Sequence, residues 1–247
     1  MNLWLLERMN LSAKLIALTQ PTIKIDIPNA EALLAYCARV SNPSNQNNEE
    51  YEKLLNYCIT HKHWSIFQMV NAVVEIIAPR DISRQFTRHG SLFTVEGDIL
   101  KEEQGFDTSQ GGIQEFSQRY SNQIQFTDRE WRGQDTKNRQ NSIDNLSDEV
   151  TIQADMLLEM SKSFANASYF AMTKEGIAKE CARVILPEGL TMSRLYVNGT
   201  LRSWLHYLDV RMANGTQKEH TDLAKLILAE LKPAFPTVFK NWSNYGS

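Results

Sequence analysis

The chain has 247 residues, 26 Lys and Arg against 29 Asp and Glu, and a formal net charge of −3, a length that suits one sizeable domain. This near balance argues against a globally basic nucleic-acid-binding protein, so any anion site must come from local clustering of cations. Cys37, Cys58 and Cys181 show no CxxC spacing, which argues against a disulfide framework or a metal site and predicts three small apolar fillers.

The opening "MNLWLLERMNLSAKL" holds a short apolar run broken by Glu7 and Arg8, too brief to span a bilayer. A cytoplasmic protein without membrane association is expected, with the first eight residues open to being an extension ahead of Met9. "NAEALLAYCARVS" (29–41) reads as a helix capped by Asn29, and "EEYEKLLNYCITHKH" as a second. "QMVNAVVEIIAP" reads as a strand ending at Pro79, followed by a helix, "DISRQFTRH", capped by Asp81. On that helix Gln85 and His89 share one face, and Arg84 and Arg88 another.

Residues 90–112 read as a Gly-rich loop or hairpin excursion, "QRYSNQIQF" as extended chain, and "DREWRGQDTKNRQNSIDNLSDEV" as a long polar connection. Val150–Phe170 places Ile152, Met156, Leu157, Met160, Phe164 and Ala167 on one helical stripe, and "KEGIAKECARVILP" predicts a helix stopped by Pro187. "LTMSRLYVNG" reads as a strand, Thr200 caps "LRSWLHYLDVRMAN" with Leu201, Leu205 and Leu208 inward, and "EHTDLAKLILAELKPAFP" closes the chain as an amphipathic helix. Long helices around a few strands without βαβ alternation predict an α+β fold, one domain over 1–247 of helices packed on a small, mostly antiparallel sheet.

Three clusters carry candidate chemistry. In "SRQFTRH" the cations lie near a helix C-terminus, which favours them, but Arg84 and Arg88 repel at i,i+4 unless something anionic covers them. A phosphate matches an Arg fork and would resolve the conflict. In "EFSQRYS", Glu115, Ser117 and Arg119 share one face of an extended segment, a pattern that suits a sugar phosphate or, equally, the solvated face of an edge strand. Arg183 sits between apolar residues and needs a partner, either a ligand or a carboxylate such as Glu180 or Asp209. Arg202, His206 and Arg211 follow on the next helix. From spacing alone this is an Arg-rich site for a phosphorylated ligand, with no GxGxxG or Walker loop.

In chain order, "CARVS" (37–41), "HKHWSIF" (61–67), "ISRQFTRH" (82–89), "QEFSQRYS" (114–121), "QDTKNRQNS" (134–142), "ARVILP" (182–187) and "LRSWLHYLDVR" (201–211) with "QKE" after it resemble the flavin-dependent thymidylate synthase family. The resemblance implies conversion of dUMP to dTMP, with methylenetetrahydrofolate as carbon donor and NADPH reducing FAD. It also implies a homotetramer with active sites where subunits meet. By matching position it assigns Gln85, Arg88, Glu115, Ser117, Arg119, Arg183 and Arg211 to dUMP. Ser65, Arg88, His89, Glu115, Arg202 and His206 go to FAD, and His63 to the vicinity of folate and flavin. Arg211 is the implied catalytic residue, holding charge that develops on the uracil ring.

The family signature is R-H-R followed after seven residues by Ser. Here Arg88 and His89 precede Gly90, and 26 residues separate Gly90 from Ser117, so 26 − 7 leaves about nineteen extra. No Arg stands between His89 and Arg119. Two alternatives stay open: a dUMP-binding homologue with weakened or lost flavin binding, and a synthase of another 5-substituted deoxyuridylate.

Overall fold

A computed structural model describes residues 9–22, 27–89 and 112–242. In chain order the strands are β1 (Ser12–Leu18), β2 (Asn71–Pro79), β3 (Ile113–Glu115), β4 (Gly133–Gln134), β5 (Ser142–Ile143) and β6 (Met192–Thr200). An antiparallel sheet runs β1-β2-β6-β3, and β4 and β5 pair separately. β2 is central, and its alternation decides the register. Ala72, Val74, Ile76 and Ala78 are fully buried; Val74 faces Leu15 and Val197, and Ile76 faces Ala13 and Leu195. A slip of one residue would turn this apolar row out of the core.

The helices are α1 (Ala30–Ala38), α2 (Glu52–Thr60), α3 (Arg80–Thr87), α4 (Asp148–Lys174), α5 (Lys179–Ala182), α6 (Leu201–Arg211), α7 (Lys218–Leu231) and α8 (Pro236–Asn241). Leu34, Leu55, Phe86, Leu201, Trp204, Leu208, Leu223 and Ile227 carry their apolar faces into one core with no exposed surface, each such side chain contributing about 1.5–3 kcal/mol. α6 is tied to the start of β2, since Leu201 N donates to the Val70 carbonyl at 2.9 Å and Trp204 Nε1 to the Ala72 carbonyl at 3.2 Å. α7 lies on β1, where Leu15 N donates to Glu230 Oε2 at 2.9 Å. The cap residues Asn29 and Thr200 act as the sequence implies, accepting from Ala32 N at 2.9 Å and Ser203 N at 3.1 Å.

Several expectations are corrected. α3 begins at Arg80, one residue before Asp81, because Pro79 ends β2 directly at the helix; Asp81 lies in the first turn and accepts from Arg129 Nη2 at 2.6 Å. The segment after β3 opens as a turn at 118–120, with Tyr120 N donating to the Ser117 carbonyl at 3.2 Å, and is extended at its end, where Phe126 bridges Thr191. The long polar connection contains the β4–β5 hairpin. The helix expected through "KEGIAKECARVILP" is broken: Gly176 takes φ +87°, a left-handed value that stops α4. Only α5 and a 3₁₀ turn at Arg183–Ile185 follow. β1 had no counterpart in the sequence reading. Cys58 is buried, but Cys37 is half-buried and Cys181 exposed, so Cys181 is not a core filler. The excursion at 90–112 lies outside the described residues except for Gly112, as do the first eight residues. Among the described residues no helix is long and apolar enough to cross a membrane.

Candidate active site

α3 explains the cation-rich stretch. Ile82, Ser83 and Phe86 turn into the core, so the same helical period leaves Arg84, Gln85 and Arg88 on the outer side. The two arginines then part company. Arg84 Nη1 meets Glu115 Oε2 at 3.0 Å and its Nε meets Glu188 Oε1 at 3.2 Å. Arg80, nearly buried, reaches the same carboxylates at 3.6 and 3.4 Å, and Ser193 Oγ donates to Glu115 Oε1 at 2.8 Å. The protein itself therefore supplies the anion over Arg84, which corrects the expectation of a phosphate there.

Arg88 is different. It stands beside Arg211, and among the described residues no carboxylate lies within ion-pair distance of either. Arg211 Nε donates to His89 Nε2 at 2.6 Å, and Nη2 to the Gln85 carbonyl at 3.4 Å. Burial, then Arg211 and His206, push His89 down to about 4, so it is neutral and can accept that bond. Burial likewise pushes the Arg211 guanidinium below its ordinary value, and Arg88 adds to this while Tyr207 opposes it. A half-buried cation held by neutral acceptors and flanked by a second cation favours a ligand that is anionic or becomes so.

Arg88 and Arg211 line a cleft of about 680 Å³ with Asp81, Arg84, Gln85, Gln140, Val210, Asn214, Gly215, Thr216 and Gln217. Gly215, at φ +88°, lets the α6–α7 turn double back, so that Gln217 Oε1 accepts from Gln85 Nε2 at 2.6 Å. Behind Gln85, His220 Nδ1 faces Gln85 Oε1 at 3.3 Å. Gln140, Asn214, Gln217 and His220 were missed in the sequence reading. The only signal was that Gln140 and Gln217 fall in "QDTKNRQNS" and "QKE", stretches noted for resemblance without a role.

Of the remaining candidates, His89 supports Arg211 from behind. Glu115 is held by Arg84 and Ser193. Ser117 Oγ accepts from Arg119 N at 3.3 Å, and Arg119 Nε pairs with Glu180 Oε2 at 3.2 Å. Arg183 is half-buried in its 3₁₀ turn, and Glu180, one of its two suggested partners, is taken by Arg119. Arg202 and His206 lie one turn apart on the exposed face of α6, and the turn Trp64–Gln68 packs against that helix. Ser65 and His63 are exposed on that turn or beside it, and His63 stacks in a ring cluster with Tyr57 and His61 at 5.6 and 6.1 Å. Gln85, Arg88 and Arg211 line the cleft; the other candidates do not.

A family model described as thymidylate synthase complementing protein matches residues 22–237. A probable flavin-dependent thymidylate synthase of Paramecium bursaria Chlorella virus 1 is 41% identical over 234 residues, covering 93% of this chain and 98% of that protein. The flavin-dependent thymidylate synthase of Synechocystis sp. is 40% identical over 230 residues, covering 92% and 97%. In fold, the chain is similar to the UMP/dUMP methylase PolB from Streptomyces cacaoi bound with 5-Br dUMP, at a TM-score of 0.73 and 19% identity over 97% of both chains. With 216 consecutive positions spanned by the family model, from 22 to 237, and two relatives near 40% identity along almost their whole length, the chain belongs to the flavin-dependent thymidylate synthase family.

Proposed function

We propose that the chain converts dUMP to dTMP, with methylenetetrahydrofolate giving the one-carbon unit and NADPH the electrons through FAD. The observation that carries this reading is the pair Arg88 and Arg211, two cations in a polar cleft that, among the described residues, have no carboxylate within ion-pair distance. Gln85 and Arg88 bind the nucleotide. Arg211 holds the negative charge that grows along the O4–N3 edge of the pyrimidine as its C6 is reduced, a charge-matched role for a guanidinium kept in place by His89. Glu115, Ser117, Arg119 and Arg183, which lie outside this cleft, complete the dUMP contacts where subunits of the homotetramer meet.

The residues present suit a flavin dinucleotide. Arg202 has no carboxylate partner among the described residues, and it shares the exposed face of α6 with His206, on a helix in contact with the Ser65 turn. This donor set of guanidinium, imidazole and hydroxyl matches a pyrophosphate and ring edge. When bound, the flavin supplies hydride reduction. Ser65, Arg88, His89, Glu115, Arg202 and His206 hold it, with His63 near the folate. Assembly into a homotetramer is supported by α4, whose Ile152, Met156, Met160 and Phe164 form a row 59–68% exposed; apolar stripes of this kind mark interfaces. Reduced thiols and the absence of a spanning helix among the described residues fit a cytoplasmic setting.

Purified protein should be yellow, and should form dTMP from dUMP, methylenetetrahydrofolate and NADPH. Colourless protein that takes up no flavin yet is stabilised by dUMP would overturn the synthase reading.

A further inference from the structure

Gln85 is the middle of a hydrogen-bonded series that runs across the cleft floor and ends inside the protein on both sides. Its Nε2 donates to Gln217 Oε1 at 2.6 Å, and Gln217 Nε2 in turn donates to Glu219 Oε2 at 2.9 Å. Glu219 is buried, and its other oxygen accepts from Arg132 Nη2 at 2.6 Å. On the opposite side, His220 Nδ1 faces Gln85 Oε1, and His220 Nε2 faces the Tyr207 hydroxyl at 3.1 Å. His220 and Tyr207 have no exposed surface.

The series has only one polarity. Burial works against the Glu219 carboxylate, but the hydrogen bond and charge of Arg132 outweigh it and hold its pKa below the ordinary value. An ionised carboxylate accepts and never donates. Gln217 must therefore turn its NH₂ to Glu219 and its carbonyl to Gln85. Gln85 must then turn its NH₂ to Gln217 and its carbonyl to His220. Nδ1 of His220 must carry the ring proton, leaving Nε2 to accept from the Tyr207 hydroxyl.

We propose that Glu219, Gln217, His220 and Tyr207 are positioning residues that set the amide orientation of Gln85, and with it the donor and acceptor that the cleft floor offers to a pyrimidine. Gln85 keeps one N–H and one carbonyl lone pair for that ligand. A reversed amide would exchange the two and leave a mismatched pair, a penalty of tenfold or more in affinity. This inference rests on the reading of Gln85 as a dUMP contact, so its test has two arms.

The first arm needs no substrate: ¹⁵N NMR of histidine-labelled protein reads the His220 tautomer directly. A protonated Nδ1 with a bare Nε2 is expected, and the opposite tautomer overturns the polarity. In the second arm, the flavin-loaded protein is compared with His220→Leu, which has no donor, and His220→Asn, whose side-chain N–H falls near the position of Nδ1. Expected for His220→Leu is a tenfold or larger rise in dUMP Kd and KM with kcat within about threefold of wild type. His220→Asn should return Kd to within about threefold. Equal loss in both variants, at matched melting temperatures, overturns the positioning role. The expected tautomer with unchanged dUMP affinity in both variants overturns the positioning role of His220, whereas unchanged dUMP affinity in Gln85→Ala would instead remove Gln85 from the dUMP site.

Discussion

Arg84 and Arg88 are one turn apart on α3 and identical in type, yet the fold treats them oppositely. Arg84 is met by Glu115 and Glu188, carboxylates brought from distant stretches of chain, and forms part of a network with Arg80 and Ser193. Arg88 has no carboxylate partner among the described residues and shares the cleft with another cation, Arg211, which is itself held by neutral histidine and a backbone carbonyl. A cation neutralised within the protein stabilises the fold, whereas one left facing a cleft is available to a ligand. Helical spacing cannot separate the two cases, because the distinction lies in which carboxylates the rest of the chain delivers.

The largest effect should come from the second of these regions. Arg211→Ala is expected to lower kcat by about 10²–10³-fold, the size seen when one charge-stabilising donor is removed, while the visible flavin spectrum is retained. Turnover near wild type would remove Arg211 from the chemistry. Away from both regions, placing Glu at Met160 and Phe164 on the exposed stripe of α4 should convert the assembly to monomers at micromolar concentration, read by sedimentation. An unchanged mass would show that this stripe is not an interface.

Acid tests the neutral histidines that distinguish the Arg211 side. His89 and His220 are held down to about 4 and about 3, in each case first by burial and then by Arg211. Below about pH 6.5 the unfolded chain takes up these protons and the folded chain does not. Stability should therefore be fully present above about pH 7 and fall as pH drops toward 4, on the order of 1 kcal/mol per pH unit for each histidine. A stability profile flat between pH 7 and 5 would contradict their neutral burial. The smallest effect belongs to Arg84 and Glu188, both about half exposed. A double-mutant cycle should give a coupling of about 0.2–1 kcal/mol, and a much larger value would mean that the network is less screened than its exposure implies.

Much of the fold was legible where local rules act alone. β2 announces itself by its run of Val and Ile and β6 by alternating polar and apolar side chains, and Asn29 and Thr200 cap the helices they precede. β1 was not, because an edge strand half open to solvent shows little alternation. The β4–β5 hairpin was not, because two-residue strands are too short to show a period. The break at Gly176 looked like an ordinary helical glycine until its left-handed conformation was seen.

The site divides along the same line. Residue types, their order and their distance along one helix are local properties, so the cation cluster on α3, the presence of Arg202, His206 and Arg211 on α6 and the likeness to a family follow from the chain as written. Which arginine is neutralised, that Gln140 and Gln217 enter the cleft, and that His220 backs Gln85 from another helix depend on contacts between residues far apart in sequence. Those contacts arise only when burial of the shared core brings the segments together, and no spacing within a single segment encodes them.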